Sequence, residues 1–227
     1  MNTQKRLSEL FKEWQKECEK TDEYGTYFAP DGIIHDVQEY ERMPKKVLFL
    51  LKEPHGHPGD IFSWIWNKKE LYQGQLFKNL AYWLYGLLHV ENGKTIPFDK
   101  LNLEAVVEFA VKTPFAFVNA KKHFGGAVCD DGKLQEYILQ YEEFLAKEIE
   151  ILNPHIIVCC GTPQNEFVYR LFKDKDNTID KENVLQYDKA TKRVSIYSYH
   201  PSARSSYEEM YSNMMVQYEK FLAKYPD

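Results

Sequence analysis

Three short segments carry side chains that could act together on one ligand. They are Leu50-Leu51-Lys52-Glu53-Pro54-His55, Phe117-Val118-Asn119-Ala120-Lys121-Lys122-His123 and Tyr199-His200-Pro201-Ser202-Ala203-Arg204-Ser205-Ser206-Tyr207. A carboxylate (Glu53), an amide (Asn119) and an imidazole (His200) in one pocket are the minimum for recognising a polar heterocycle and cutting a bond to it. The carboxylate can stabilise positive charge and orient water, and the imidazole can steady negative charge on a leaving group. The amide can pair with a heterocycle edge. Each segment follows a run of β-forming apolar residues, so each is expected where a strand ends and a loop begins. In an open parallel sheet those ends share one edge, and ligands bind there.

The elements that would position these groups follow from periodicity. Val47-Leu48-Phe49-Leu50-Leu51 is a continuous apolar run, the mark of a strand buried on both faces. Further strands are expected at 115–118, 156–160, 184–187 and 194–199. Leu7, Leu10, Phe11, Trp14 and Cys18 recur at helical spacing, which predicts a helix to about Glu19. Other helices are expected around Leu76 to Leu88, over 103–111, as one long amphipathic helix over 133–152, after Gly161-Thr162-Pro163, and over 207–225. In the fourth of these, Thr162 is expected as the cap and Pro163 as the first helical residue. Residues 20–45 read as mixed and turn-rich, and 173–183 as a charged, polar loop. Strands alternating with helices imply an α/β fold, with a short, mostly parallel sheet between helical layers. No repeat or linker is visible, so residues 1–227 read as a single domain, with the N-terminal helical segment 1–22 packing on it.

Composition narrows the function classes. The 16 Tyr, 14 Phe and 4 Trp are more than stacking on a ligand would require, so most belong to the core. A formal charge of −5 argues against tight, non-specific binding to long nucleic acid but leaves room for a local basic rim. Cys18, Cys129, Cys159 and Cys160 show no CxxC spacing and are expected as free thiols in a reducing cytoplasm. No apolar run reaches membrane-spanning length and no signal peptide is visible, so a cytoplasmic protein is expected. Glu53, His55, His57 and Asp60 are ligand types a metal accepts, but His-x-His in a Gly/Pro loop is more often solvent-facing, and no metal is expected.

Taken together, the three segments resemble the uracil-DNA glycosylase superfamily. Leu51-Lys52-Glu53-Pro54-His55-Gly56 occupies the place of the family's Gly-Gln-Asp-Pro-Tyr-His motif, with Glu53 where the catalytic Asp stands. The strand ending in Asn119 matches the motif whose Asn reads the uracil edge. His200-Pro201-Ser202-Ala203-Arg204-Ser205-Ser206-Tyr207 is similar to the family's His-Pro-Ser-Pro-Leu-Ser-Ala-Tyr. The connecting segment from Leu152-Asn153-Pro154 to Gly161 also looks like a family element, so the resemblance spans roughly residues 45–210.

The resemblance implies a three-layer α/β/α sandwich and hydrolysis of an N-glycosidic bond to uracil or a related damaged base in DNA. It implies a monomer acting without a cofactor. Glu53 and His200 would be catalytic, and Asn119, Phe62 and His55 would contact the base, with Trp64 and Trp66 as rivals to Phe62. His55 stands where the best-known branch carries a thymine-excluding Tyr. Lys52, Lys121, Ser202, Arg204 and Ser205 would meet phosphates or DNA, and Lys122 and His123 could extend the rim. Two other readings stay open: a non-catalytic member of the fold that binds a nucleotide or lesion, and a hydrolase of free nucleosides or nucleotides.

Overall fold

The computed structural model describes residues 2–21, 27–54, 74–125, 129–172 and 185–225. Six strands form one sheet in the order β1-β5-β2-β6-β8-β7. They are β1 (Gly32–Ile34), β2 (Val47–Leu51), β5 (Phe115–Asn119), β6 (Ile156–Cys159), β7 (Leu185–Asp188) and β8 (Arg193–Tyr197). The four central strands β5, β2, β6 and β8 are mutually parallel, and the edge strands β1 and β7 pair antiparallel to their neighbours. β3 (Val90–Glu91) and β4 (Lys94–Thr95) make a separate hairpin.

Strand side chains alternate between two faces, and each face carries its own core. Val47, Phe49, Leu51, Phe115, Phe117, Ile156, Val158 and Ile196 pack beneath α3 (Gln75–Leu88), α4 (Leu103–Ala110) and α8 (Tyr207–Lys224). Leu48, Leu50, Ala116, Val118, Ile157 and Cys159 face α1 (Thr3–Cys18), α5 (Asp131–Gln140), α6 (Glu142–Leu152) and α7 (Thr162–Leu171). α2 (Val37–Arg42) adds Tyr40 to the second core. Because helices cover both faces, β2, β5 and β6 are buried along their whole length. Among the described residues no helix is long and apolar enough to cross a membrane.

Most expected elements are present, with differences that have local causes. The stripe expected on α1 is the buried one: Leu7, Leu10, Phe11, Trp14 and Cys18. The single helix expected over 133–152 is broken at Tyr141, whose φ −114° and ψ 23° are not helical. At the break the Tyr141 ring lies 4.6 Å from that of Tyr137, in a cluster with Trp14. α7 starts one residue earlier than expected, with Gly161 rather than Thr162 as its cap. Gly161 has φ 148°, a conformation side chains other than glycine's rarely adopt. β1, α2 and the β3–β4 hairpin were not anticipated. The hairpin turn holds Asn92 and Gly93 at φ 52° and 72°, and Asn-Gly is the strongest short signal for such a turn.

Candidate functional site

The parallel strands stop at a common level. Leu51 is in register with Asn119, Leu50 with Cys159, and Cys159 with Tyr197. Backbone pairing continues one step past the strands: Ala120 N donates to Leu51 O, Cys160 N to Leu50 O, and Ser198 N to Cys159 O. The residues that follow each strand therefore crowd one edge. From β2 the chain returns to the sheet at β5 on one side, and from β5 it crosses to β6 on the other. The reversal opens between the carboxyl ends of β2 and β6, where α/β sheets of this order place ligands.

Lys52 sits at that reversal. Its Nζ is 2.5 Å from Asp131 Oδ1, and its Cε lies 3.3 Å from where a Cβ on Gly161 would stand. Beside it, Glu53 is nearly buried and pairs through Oε2 with Lys121 Nζ at 2.9 Å. Backbone bonds from Lys121 N to Lys52 O and from Gly125 N to Pro54 O lace the two loops together. The Glu53 carboxylate packs directly on Gly125, where an added Cβ would come within 1.7 Å of Oε1. Only glycine permits that approach. Gly125→Ala is therefore expected to displace Glu53 and lower stability by about 1–3 kcal/mol, read from the urea midpoint.

Cys129 completes the surroundings of Glu53, a contact the sequence did not suggest. Burial, then the Glu53 charge, push its thiol up to about 11 while Lys52 acts the other way, so it is a neutral thiol beside Glu53. It is not a thiolate nucleophile at neutral pH.

His200 stands past β8 in a turn closed by Ala203 N donating to His200 O. Its Nδ1 accepts from Ser202 N at 3.3 Å, which leaves the neutral ring's proton on Nε2. Burial, reinforced by the Lys52 charge and partly offset by Asp131, lowers its pKa to about 4. The ring is thus a neutral donor at physiological pH, and Lys52 electrostatically links the Glu53 loop to the His200 loop.

Asn119 ends β5 at the same edge, buried. Asp31 Oδ2 accepts from its backbone N at 2.7 Å and from its Nδ2 at 3.2 Å. Asp31 Oδ1 in turn accepts from Lys122 Nζ, whose second acid, Glu148 Oε2, is 2.8 Å away. All three side chains of this triad are fully buried, and Lys122 Nζ also lies over the Phe11 and Trp14 rings. Lys122 is therefore not part of a surface phosphate rim, and His123 is buried as well. Glu148 forms its ion pair without hydrogen-bond geometry. Complete burial raises its pKa well above the usual carboxylate value, partly offset by Lys122 and reinforced by Asp31.

The other expected site residues are placed less centrally. Lys121 pairs with Glu53 instead of projecting freely toward a phosphate. The Ser205 hydroxyl donates to Glu209 Oε2, while Ser206 Oγ caps α8 by accepting from Glu209 N. Glu208 and Glu209 are thereby explained as first-turn acids complementing the helix dipole. Ser202 and Arg204 are exposed beside His200. His55, His57, Asp60, Phe62, Trp64 and Trp66 lie outside the described residues, and among the described residues no cluster of metal ligands occurs.

Two features of the neighbourhood were missed by sequence reasoning. Gln164, in the first turn of α7, is buried with both amide atoms unpartnered, and its Oε1 abuts Gly161. A cleft of about 480 Å³ between α1 and β1 is lined in part by Asp31, the partner of Asn119. Glu53, Asn119 and His200 all stand at the carboxyl ends of the parallel strands, so that edge is the candidate site. No family model matches the chain, and no curated protein matches it.

Proposed function

We propose that the chain is a uracil-DNA glycosylase-like hydrolase, cleaving the N-glycosidic bond of uracil or a related damaged base in DNA. The observation that carries this reading is His200, a neutral imidazole with its proton on Nε2, on the same sheet edge as the nearly buried carboxylate of Glu53. As the bond to the base breaks, negative charge develops on a ring carbonyl, and the Nε2–H of His200 stabilises it. The sugar becomes cationic, and Glu53 stabilises it and orients the attacking water. Asn119 reads the base edge.

The test is release of uracil from single- and double-stranded oligonucleotides by the purified chain. His200→Ala is expected to lower kcat about 10²–10³-fold with the fold intact by circular dichroism. The pH dependence carries a sign. A catalytic neutral imidazole is lost only on protonation, so the rate should hold through 6.5 and fall as pH approaches about 4. An acid limb at 6.5 would remove His200 from the role assigned to it. Stability should also decline across that window as pH drops, because the unfolded chain takes up the proton that native His200 refuses.

One observation favours a second reading, a non-catalytic binder of nucleotides or lesions. Glu53 is already paired with Lys121, so its charge is balanced before any ligand arrives. Binding of a uracil-containing oligonucleotide without base release would select it. Activity on mononucleosides but not on oligomers would select a small-nucleoside hydrolase.

A further inference from the structure

We infer that Asp31, far from the three motifs in sequence, is a positioning residue that decides which way round the Asn119 carboxamide presents itself to a base. This rests on the reading of Asn119 as the base-reading group. A carboxamide has a donating end and an accepting end of nearly the same shape, and rotating it by half a turn exchanges them. An ionised carboxylate accepts only. Asp31 Oδ2 lies 3.2 Å from Asn119 Nδ2 and also takes the Asn119 backbone N–H, so the amino end must face Asp31. One Nδ2 proton is consumed there. The carboxamide retains one proton and the carbonyl oxygen.

That pair of groups matches one kind of edge. A ring presenting a carbonyl beside an N–H, as uracil does at O4 and N3, offers an acceptor to the remaining Nδ2 proton and a donor to Oδ1. Cytosine presents the reverse order, an amino donor beside a bare ring nitrogen, and would need the flipped amide. Flipping would turn Oδ1 toward a carboxylate in a buried setting, leaving two acceptors face to face. Lys122 holds the other Asp31 oxygen, so Oδ2 stays turned toward Asn119. Selectivity for an imide edge is thus built at Asp31, one step behind the residue that touches the base.

Asp31→Asn tests this, because a neutral amide at that place removes the charge that penalises a flipped Asn119 carboxamide. The readout is the ratio of affinities for free uracil and free cytosine, measured by titration calorimetry on wild type and variant. The ratio is expected to fall about tenfold or more in Asp31→Asn, a change that a purely structural role would not direct to one base. An unchanged ratio alongside uracil-selective wild type would overturn the positioning role while leaving the base-reading role of Asn119 standing. A wild type that binds neither base would remove both together. Should Asp31→Asn not fold, the wild type still decides. Its Asn119 side-chain NH₂ resonances, assigned by their loss in Asn119→Asp, are expected to show one exchange-protected proton and one that shifts on adding uracil. Two freely exchanging protons would overturn the inference.

Discussion

Lys122→Ala is expected to cost about 3–5 kcal/mol, enough to unfold much of the population of a domain of ordinary stability. The physical reason is the complete burial of the Asp31, Lys122 and Glu148 side chains. Alanine removes the only cation in the triad and leaves the Asp31 carboxylate without its counter-charge, away from water, with the Asn119 donors still on Oδ2. It also removes the ammonium from the faces of Phe11 and Trp14, so α1 loses part of its anchorage to the loop after β5. Glu148→Gln, by contrast, keeps the shape of a side chain whose burial already disfavours its charge, and is expected to stay within about 1 kcal/mol of wild type. Urea unfolding of the two variants, with the slope checked for constancy, separates the outcomes. Equal, small losses in both would show that Lys122 is not the buried cation on which Asp31 depends.

Glu53→Gln is expected to lower turnover about 10²–10⁴-fold, the largest effect on chemistry, with the fold retained. Glutamine preserves shape and the approach to Gly125 but carries no charge to offset an oxocarbenium ion or polarise water. Single-turnover base release set against the urea midpoint distinguishes a chemical loss from a structural one. Because Glu53 also balances Lys121, a modest shift of the midpoint accompanies the kinetic loss. Wild-type rates in Glu53→Gln would mean that the carboxylate serves only its neighbour Lys121. Undiminished ligand affinity in a variant of a chain that never releases a base would point to the binder.

These two effects arise on opposite sides of one short loop. Lys121 and Lys122 are adjacent, yet the first points toward Glu53 at the sheet edge and the second into the core beneath α1. Alternation of side chains along extended backbone sends neighbours to opposite sides. A lysine pair that reads as one basic patch therefore becomes two unrelated ion pairs, one at the candidate site and one beneath it. The same alternation aligns the site: β2 and β5 are in register, so the residues following Leu51 and Asn119 leave the sheet side by side.

Periodic apolar patterning was enough to locate the central strands, the buried stripe of α1 and the order of alternating elements. Such patterns are local: a residue's neighbours at two or at three to four places along the chain report which face it turns inward. The Asn92-Gly93 turn carried an equally local signal for the hairpin, one that the surrounding helical pattern obscured. Pairing of polar groups is not local. Asp31 lies 88 residues from Asn119 and 91 from Lys122, in a stretch with no strong periodicity, and nothing near Asn119 in the chain announces its partner. Folding brings them together because a short antiparallel strand, β1, adds itself to the open edge of β5 and delivers Asp31 to its end. The residue types needed for chemistry were thus written along the chain. Which of them are free to act, and which are bound to one another, followed from the burial that forces every charge indoors to find its complement.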